Sequence, residues 1–410
     1  MKLLYIHQHF ATPKGSAGIR SYQMARRMVA RGHSVTMLCG RGTDGQSGLS
    51  GPFERGVRRG RVDGIDVIEV DLAYSNKDRF AKRVMTFVSF MLRTSKFVLT
   101  ERYDLLFATT TPLTVGVPGV LGRWLRNKPF VFEVRDLWPE LPRAMGVIRN
   151  PLVLWAMGVL EWASYRSAHR LIGLSPGIVE GIAHRGVDRS RIATIPNGCD
   201  LDIFALEAPT WQPDGVRDDH LVALFAGAHG IANGLDAALD AAEILQKRGR
   251  DDIRIVLIGN GMKKAELTAD AKARGLSNVI FLDPVRKTEL VGLMHRADVG
   301  LQLLADIPAF YYGTSPNKFF DYIAAGIPVL NNYPGWLAGL IEEAGCGIAV
   351  PPRDPAAFAD ALERFAEDRA ATRAMGERAR ALAQREFPRD LLAERWAEWI
   401  EATARDRKVG

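Results

Sequence analysis

The chain has 410 residues, 47% of them hydrophobic and 25% charged, which is typical of a globular enzyme and long enough for two or three domains. Its three cysteines, Cys39, Cys199 and Cys346, are far apart, so we expect neither a disulfide framework nor a cysteine-rich metal site, and a reducing compartment is favoured. No segment reaches the about 18 consecutive apolar residues of a membrane-spanning helix, and the N-terminal stretch does not have the pattern of a signal peptide. These features predict a cytoplasmic protein.

Positive charge is concentrated in the first half of the chain. Residues 1–205 contain 29 lysines and arginines against 17 acidic residues, a net charge of +12, whereas the remaining residues have a net charge of −5. This asymmetry predicts an anionic partner for the first half. Because we find no zinc knuckle, RNP-type aromatic motif or helix-turn-helix pattern, we do not expect nucleic acid. An anionic membrane surface or a diphosphate-bearing substrate is favoured instead.

Short apolar strands alternate with helical patterns in both halves. In the first half we predict strands at residues 2–6, 34–38, 65–70, 104–108, 129–134, 170–174 and 191–195. In the second half we predict them at residues 220–226, 253–258, 278–282, 297–303, 328–331 and 347–350. This alternation indicates parallel βαβ units. It predicts an α/β protein with two doubly wound, Rossmann-like domains, residues 1–205 and 206–387, that face an inter-domain cleft.

Two connecting segments have unusual compositions. Residues 40–64 contain eight glycines in 25 positions, which predicts a mobile loop at the mouth of the cleft. Residues 79–100 form a basic amphipathic helix in which phenylalanines alternate with arginines and lysines. Two interpretations remain open for this helix: a packing helix with a solvated face, or a helix that lies at a membrane interface.

Two predicted strand ends in the second half have the features of an anion site, because glycines allow close backbone approach and lysines follow at a helix start. The candidate residues are Gly227, Gly230, Asn233, Gly259, Gly261, Lys263 and Lys264. A cation in a first helical turn opposes the helix dipole unless an anion lies between them. Asn233 could alternatively cap the next helix.

A third candidate site lies in SPNKFFDYIAAGIPVL, residues 315–330. Ser315 and the free amides of Asn317 and Lys318 stand at a predicted helix start, next to Pro316, and are suited to a phosphate. Asp321 follows one turn later, where a carboxylate can accept two hydroxyl protons, as from a ribose. A capped helix with solvated charges is the alternative.

Two polar segments in the first half complete the set. FEVRDLWPE ends a predicted strand with Glu133, Arg135 and Asp136, which predicts a charged cluster at the cleft, although Asp136 could instead be a structural cap. TPKGSAGIRSY supplies a glycine-rich helix start suited to a phosphate or a sugar, with the candidates Gly15, Gly18 and Arg20. No HExxH, EF-hand or DxD pattern is present, so we expect neither a metal nor another cofactor.

Five segments in combination resemble the retaining GT-B glycosyltransferases of family four: PKGSAGIRSYQMARRMVARGHSV, EVRDLWPELPRAMGVIRN, LSPGIVEGIAHRGVDRSRIATIPNGCDLDIF, LIGNGMKKAEL and SPNKFFDYIAAGIPVL. They look closest to the branch of L-fucosamine-type transferases of bacterial polysaccharide assembly. The resemblance implies transfer of a sugar, with retention, from a nucleotide-diphosphate sugar, of which UDP-sugars are favoured. The implied acceptor is a polyprenyl-diphosphate-linked saccharide at the inner face of the cytoplasmic membrane.

The resemblance also implies roles for individual residues. Asp321 matches the carboxylate that holds the donor ribose, and Val285 would contact the base through its backbone. Ser315, Asn317 and Lys318 would hold the diphosphate, helped by Lys263 or Lys264, and the loop from Gly15 to Gly18 would lie near it. Asp136 lies where the family has the acid of a His-Asp pair, and the expected catalytic residues are Asp136, Arg135 and Lys318. The last helix, within residues 388–410, would pack back on the first domain.

The sequence departs from the family pattern at three places. Gly313 stands where the first acid of a Glu-x7-Glu pattern is expected, the donor-side arginine is absent from FAGAHGIANG, and Arg135 stands where histidine is common. A nicotinamide oxidoreductase would need GxGxxG after the first strand, and HQHFATPKGSAG does not provide it. A catalytically silent nucleotide-sugar sensor, suggested by Gly313, and a sugar-nucleotide 2-epimerase remain alternatives.

Overall fold

The computed structural model describes residues 1–13, 15, 18–42, 47–74 and 78–406. They form two compact units, each built on a largely parallel sheet. The first unit comprises residues 1–196, 313–315 and the C-terminal part from Asp390, and the second comprises residues 197–312 and 316–389. The predicted α/β architecture of two doubly wound domains is confirmed.

The first unit is built on an eight-stranded sheet with the order β3-β4-β2-β1-β5-β6-β7-β8. Its strands are β1 Lys2–Ile6, β2 Ser34–Arg41, β3 Val57–Val62, β4 Ile65–Ala73, β5 Leu105–Thr109, β6 Phe130–Val134, β7 Arg170–Gly173 and β8 Ile192–Thr194. The helices of this unit are α1 Arg20–Ala30, α2 Phe80–Thr100, α3 Gly116–Leu125, α4 Glu140–Ala144, α5 Pro151–Ser167 and α6 Pro176–His184. The central strands β5 and β6 are buried along their whole length, as parallel strands covered by helices on both faces must be.

The glycine-rich segment 40–64 contains a strand that we did not predict. β3 pairs antiparallel with β4, with Val62 opposite Ile65. Asp63 and Gly64 join the two strands and both have positive φ angles, 49° and 85°, which is the geometry of the tight hairpin turn that Asp-Gly favours. The prediction of a mobile loop is therefore wrong for residues 57–64, because this turn closes a hydrogen-bonded hairpin. Residues 43–46 lie outside the described part of the chain.

The second unit is built on a six-stranded parallel sheet with the order β11-β10-β9-β12-β13-β14. Its strands are β9 Leu221–Ala226, β10 Ile253–Ile258, β11 Val279–Leu282, β12 Val299–Gln302, β13 Val329–Asn331 and β14 Gly347–Ala349. Its helices are α7 Leu201–Phe204, α8 Asp236–Lys247, α9 Lys264–Ala273, α10 Lys287–Arg296, α11 Pro308–Gly313, α12 Asn317–Ala325, α13 Trp336–Ala344, α14 Pro355–Glu367 and α15 Arg369–Glu386.

The last helix, α16 Arg389–Asp406, packs with the first unit. Trp396 is fully buried there, and its ring lies 5.7 Å from that of Tyr5 and 4.9 Å from that of Phe107, centre to centre. Burial of so large an aromatic surface stabilises the packing of the helix on the sheet, because full burial of one large apolar side chain contributes about 2–3 kcal/mol.

The boundary between the units lies earlier than predicted. Residues 197–205, which we assigned to the first domain, belong to the second unit. The Cys199 amide donates to the Phe387 carbonyl at 2.7 Å, and the Asp200 carboxylate accepts from Arg389 Nε at 2.7 Å. These buried contacts tie the incoming segment to the segment that leaves the unit. Within the described residues, no helix combines the length and the apolar character needed to cross a bilayer.

Candidate active site

Two glycine turns meet at the carboxyl edge of the second sheet. Gly227 follows β9 and Gly259 follows the neighbouring β10, and a Cβ atom on Gly259 would lie only 1.8 Å from the Gly227 carbonyl oxygen. A Cβ atom on Gly261 would lie 2.3 Å from the His229 carbonyl oxygen. Only glycine fits at positions 259 and 261. The turns lie beside β9, where the strand order reverses and where doubly wound sheets bind ligands.

The side chain of Lys318 reaches the same edge from the first turn of α12. Its Nζ atom donates to Asn233 Oδ1 at 2.7 Å and lies 4.4 Å from the centre of the Phe225 ring. Its Cε atom is 3.3 Å from the position that a Cβ atom on Gly227 would take. The groups it contacts among the described residues are thus neutral, and desolvation lowers the pKa of Lys318 to about 7. A cation that lies beside glycine turns and has no carboxylate partner is suited to bind a phosphate group, which supplies the negative charge.

The helix that carries Lys318 begins as predicted, immediately after Pro316. Pro316 occupies the N-cap position and provides no side-chain hydrogen bond to the first turn. Asn317 and Lys318 therefore present their backbone amides at a helix N-terminus, where the helix dipole favours an anion. Ser315, the remaining predicted member of this group, belongs to the first unit.

Asn233 contacts Lys318 instead of capping the next helix. It lies in a short 3-10 turn, Ile231–Asn233, that follows Gly230. Its Nδ2 atom donates to the Ala228 carbonyl at 2.7 Å, which orients its Oδ1 atom toward the Lys318 ammonium group. Asn233 thereby positions Lys318, a role that the sequence did not indicate.

Lys263 and Lys264 differ from the prediction, because both have protein partners. Lys264 Nζ donates to the carbonyl oxygens of Gly259 and Leu282 at 2.9 and 2.8 Å and pairs with Asp283 at 2.7 Å. Lys263 directly precedes α9 and pairs with Glu266 on the first turn of that helix. Lys264 therefore joins the ends of β10 and β11, and neither lysine is an uncompensated cation.

Asp321 also has a protein partner. Its Oδ1 atom lies 2.9 Å from Lys287 Nζ, which lies 2.6 Å from Asp200 Oδ2 as well. Asp200 in turn pairs with Arg389, so four alternating charges form one cluster. Burial raises the pKa of Asp321, and Lys287 opposes this rise. Val285 is half-buried two residues before Lys287, in the loop after β11, so the residues assigned to base and ribose occur in one region of the second unit.

A second polar cluster lies at the carboxyl edge of the first sheet. The backbone amide of Arg135, after β6, donates to Thr110 Oγ1 at 2.8 Å, and its Nη1 atom lies 3.2 Å from His7 Nε2. The Asp136 carboxylate accepts from Thr111 Oγ1 at 3.1 Å. The structure thus brings the predicted pair Arg135 and Asp136 together with residues that follow β1 and β5, the strands beside the reversal of strand order.

The surroundings of His7 and His9 in this cluster lower their pKa values. Burial, followed by the charge of Arg135, lowers the pKa of His7 far below its usual value and that of His9 to about 4. Burial raises the pKa of Asp136, and Arg135 opposes the rise. His7 and His9, which sequence reasoning missed, are therefore neutral at pH 7. Their position immediately after the first strand was the feature that could have identified them.

Arg20 and Glu133 pair with each other, which differs from the prediction that they bind substrate. Arg20 Nη2 lies 2.8 Å from Glu133 Oε2, and both side chains are almost completely buried. Arg20 also donates to the carbonyl oxygens of Ile195 and Pro196, and Glu133 accepts from Thr109. These partners use the polar atoms that a substrate would need, so the pair is structural.

The predicted glycine loop near Arg20 is described only in part. The Gly15 amide donates to the Thr12 carbonyl at 2.9 Å, and Gly18 is exposed. Residues 14, 16 and 17 of this loop lie outside the described part of the chain. Over the residues that are described, no three His, Cys, Asp or Glu side chains are grouped in a way that could hold a metal ion.

Comparison with known proteins identifies the family. A model of the "Glycosyl transferase 4-like domain" matches residues 15–198, and a model of "Glycosyl transferases group 1" matches residues 210–382. Together they span most of the chain. The chain belongs to the GT-B glycosyltransferases. Its two Rossmann-like units correspond to the two matched regions.

Two relatives and one solved structure of similar fold illustrate the range of similarity of this chain. It is 31% identical over 213 residues to D-inositol 3-phosphate glycosyltransferase of Paenarthrobacter aurescens, which covers 49% of this chain and 50% of that protein. It is 22% identical to the probable glycosyltransferase WbjE of Pseudomonas aeruginosa, over 82% and 84% of the two chains. Anabaena Alr3699/HepE, solved in complex with UDP-glucose, superposes with a TM-score of 0.70 at 17% identity, over 98% and 100%. The chain spans about half the length of the first curated relatives it matches.

Proposed function

We propose that this glycosyltransferase transfers a hexosyl-type sugar from a nucleotide-diphosphate sugar, with a UDP-sugar as the favoured donor, to a hydroxyl group of a lipid-linked saccharide. The observation that carries the proposal is the Lys318 ammonium group, held by Asn233 at 2.7 Å beside the glycine turns at the edge of the second sheet. The complex of HepE with UDP-glucose, a neighbour in fold, supports a nucleotide sugar as the donor.

In this mechanism the second unit stabilises the leaving group. Lys318 and the amides at the start of α12 neutralise the charge that develops on the departing diphosphate, a contribution of about 3–4 kcal/mol for one preorganised donor. Lys264 acts indirectly, because it holds the ends of β10 and β11 in place. No metal ion is needed in this scheme, since protein donors supply the positive charge.

The acceptor residues in the proposal belong to the first unit. Asp136, next to Thr111, would interact with the reacting sugar or the acceptor hydroxyl group, and Arg135 would hold the neutral His7 beside it. The basic first half of the chain and the resemblance to polysaccharide transferases support a polyprenyl-diphosphate-linked acceptor at the inner face of the cytoplasmic membrane. Retention of the anomeric configuration and a role in O-antigen-type polysaccharide synthesis belong to the same proposal.

Substitution of Lys318 tests the donor site. We expect Lys318→Ala to lower kcat by about 10²–10³-fold, the effect of losing one preorganised transition-state donor, and to weaken binding of UDP-glucose in isothermal titration. Lys263→Ala is the matched control, because Lys263 pairs with Glu266 and should leave both quantities close to normal. Equal effects of the two substitutions would contradict the assignment.

Product analysis separates this function from the two alternatives. A transferase releases the nucleoside diphosphate only as sugar appears on the acceptor. A 2-epimerase would convert the donor without an acceptor, and a silent sensor would bind the donor without turnover. Chromatography of a reaction with UDP-glucose and an undecaprenyl-diphosphate saccharide distinguishes the three outcomes.

A further inference from the structure

Three helices of the first unit lie side by side on one face of its sheet. α3 contacts α2 on one side and α5 on the other, while α2 packs on β4 and both α3 and α5 pack on β6. The surface of these helices that faces away from the sheet carries exposed tryptophans: Trp124 on α3, 62% exposed, and Trp155 and Trp162 on α5, 70% and 57% exposed. Large exposed apolar patches indicate an interaction site.

Four exposed apolar residues of α5 form one stripe. Leu152, Trp155, Val159 and Trp162 follow at spacings of three and four residues, so they lie within about 80° of each other around the helix at 100° per residue. Leu152 is 74% exposed. The residues that hold α5 on the unit lie on the other side, where Ser164 and Tyr165 are buried. This helix therefore has a second apolar face that the first unit does not cover.

Helix α2 shows the same spacing on its outer surface. Met85, Val88, Leu92 and Leu99 are exposed and lie within about 60° of one another around the helix axis. Lys96 is exposed beside this stripe, while the opposite face buries Phe90 and Val98. The two interpretations of this helix from the sequence thus apply to its two different faces: one packs on the sheet and the other is free to bind.

The charges of the three helices have one sign at the surface. α2, α3 and α5 together carry six lysines and arginines, and their single acidic residue, Glu161, is buried. Arg166 continues the α5 stripe by four residues, and the Arg123 guanidinium lies 4.9 Å from the centre of the Trp124 ring. An apolar surface with tryptophans and a basic margin is complementary to anionic lipid head groups above an acyl layer.

We propose that the exposed surface of α2, α3 and α5 docks the protein on an anionic lipid bilayer, with the tryptophans inserted at the level of the head groups. This inference rests on the proposed function, because it explains how a chain of this kind reaches a lipid-linked acceptor. A second copy of the chain is a less favourable partner for this surface, since it would place two basic margins against each other.

Vesicle co-sedimentation tests the proposal. We expect the wild-type protein to bind vesicles of phosphatidylglycerol and phosphatidylcholine, to bind phosphatidylcholine vesicles far less, and to dissociate at high salt. Trp155→Ser/Trp162→Ser should weaken the binding by about tenfold or more, because two interfacial anchors are lost. Lys96→Glu/Arg166→Glu should weaken binding to the anionic vesicles alone. Leu206→Ser removes an exposed apolar side chain of the second unit and should leave vesicle binding unchanged.

Two further measurements make the outcome decisive. All variants should unfold at the wild-type temperature, since the substituted side chains are exposed. The proposal would be overturned if the tryptophan variant bound vesicles as strongly as the wild type. It would also be overturned if the wild type formed a dimer in sedimentation velocity and this variant did not. Titration with UDP-glucose separates the two inferences. If the protein binds UDP-glucose but not vesicles, only the docking proposal is contradicted. If it binds vesicles but not UDP-glucose, only the proposed function is contradicted.

Discussion

Lys318 Nζ and Asn233 Oδ1, 85 residues apart in the chain, lie 2.7 Å apart at the carboxyl edge of the second sheet. An ammonium group has three donors, and this hydrogen bond uses one of them with a neutral acceptor. The contact orients the cation without neutralising it. Three of the four predictions below depend on whether a charge in this protein has a partner of opposite sign, and the fourth concerns the acid Asp136.

Donor binding should depend on pH through Lys318. Its pKa of about 7 means that the ammonium form, which attracts a diphosphate, declines as the pH rises above 7. The dissociation constant of UDP-glucose should therefore increase between pH 7 and pH 9, by up to about tenfold per pH unit. Isothermal titration in buffers of different ionisation enthalpy should show proton uptake on binding. In Lys318→Met both effects should disappear; a pH-independent dissociation constant in the wild type would contradict the role of Lys318.

The buried pair of Arg20 and Glu133 should affect stability more than substrate binding. Glu133→Gln leaves an arginine without its counter-charge in the interior, so we expect the free energy of unfolding to fall by about 3–5 kcal/mol in urea denaturation. The exposed pair Arg61 and Asp66 is the matched control, and Asp66→Asn should cost less than about 1 kcal/mol. A change in donor affinity with unchanged stability would restore the substrate role.

Asp200 should stabilise the second unit in a defined pH range. Arg389 and Lys287 outweigh the effect of burial and lower its pKa to about 2. Because the folded-state pKa lies below the unfolded value of about 4, the stabilisation is complete above pH 4 and is lost as the pH falls through 2. Asp200→Asn should lower the thermal midpoint at pH 7 and weaken its decline between pH 4 and pH 2. Asp202→Asn, at an exposed position nearby, should leave the profile unchanged.

Asp136 should affect transfer without affecting donor affinity. It lies in the first unit, whereas the proposed diphosphate site lies in the second. We expect Asp136→Asn to lower kcat by about 10²–10⁴-fold, the usual contribution of a positioned acid or base, with the dissociation constant of UDP-glucose unchanged. Glu140→Gln, an exposed carboxylate four residues later, serves as the control. Normal turnover by Asp136→Asn would mean that Asp136 has only a structural role, as the acceptor of the hydrogen bond from Thr111.

The strands and their order of appearance could be read from the sequence, because a strand covered on both faces requires a short apolar run whatever its neighbours are. The hairpin of β3 and β4 was missed, although Asp63-Gly64 between two branched residues was visible as a turn. The eight glycines of the segment led us to predict a loop instead of a hairpin. The GT-B class followed from motifs in combination, as none of them is specific alone.

The candidate site was predicted less completely, since three chemically similar lysines have different partners. Lys263 pairs with Glu266, Lys264 holds two strand-end carbonyl groups, and Lys318 contacts neutral groups. The sequence places all three at helix starts and does not distinguish them. The same holds for Arg20, whose counter-charge Glu133 lies 113 residues away.

The sequence by itself determined the two βαβ series, the glycine turns after β9 and β10 and the helix start at Asn317, because each depends on the conformational preferences of a few adjacent residues. Only the tertiary structure decided which charges are compensated, which histidines are kept neutral and which tryptophans face outward. These properties depend on distances between residues far apart in the chain and on the water that packing excludes.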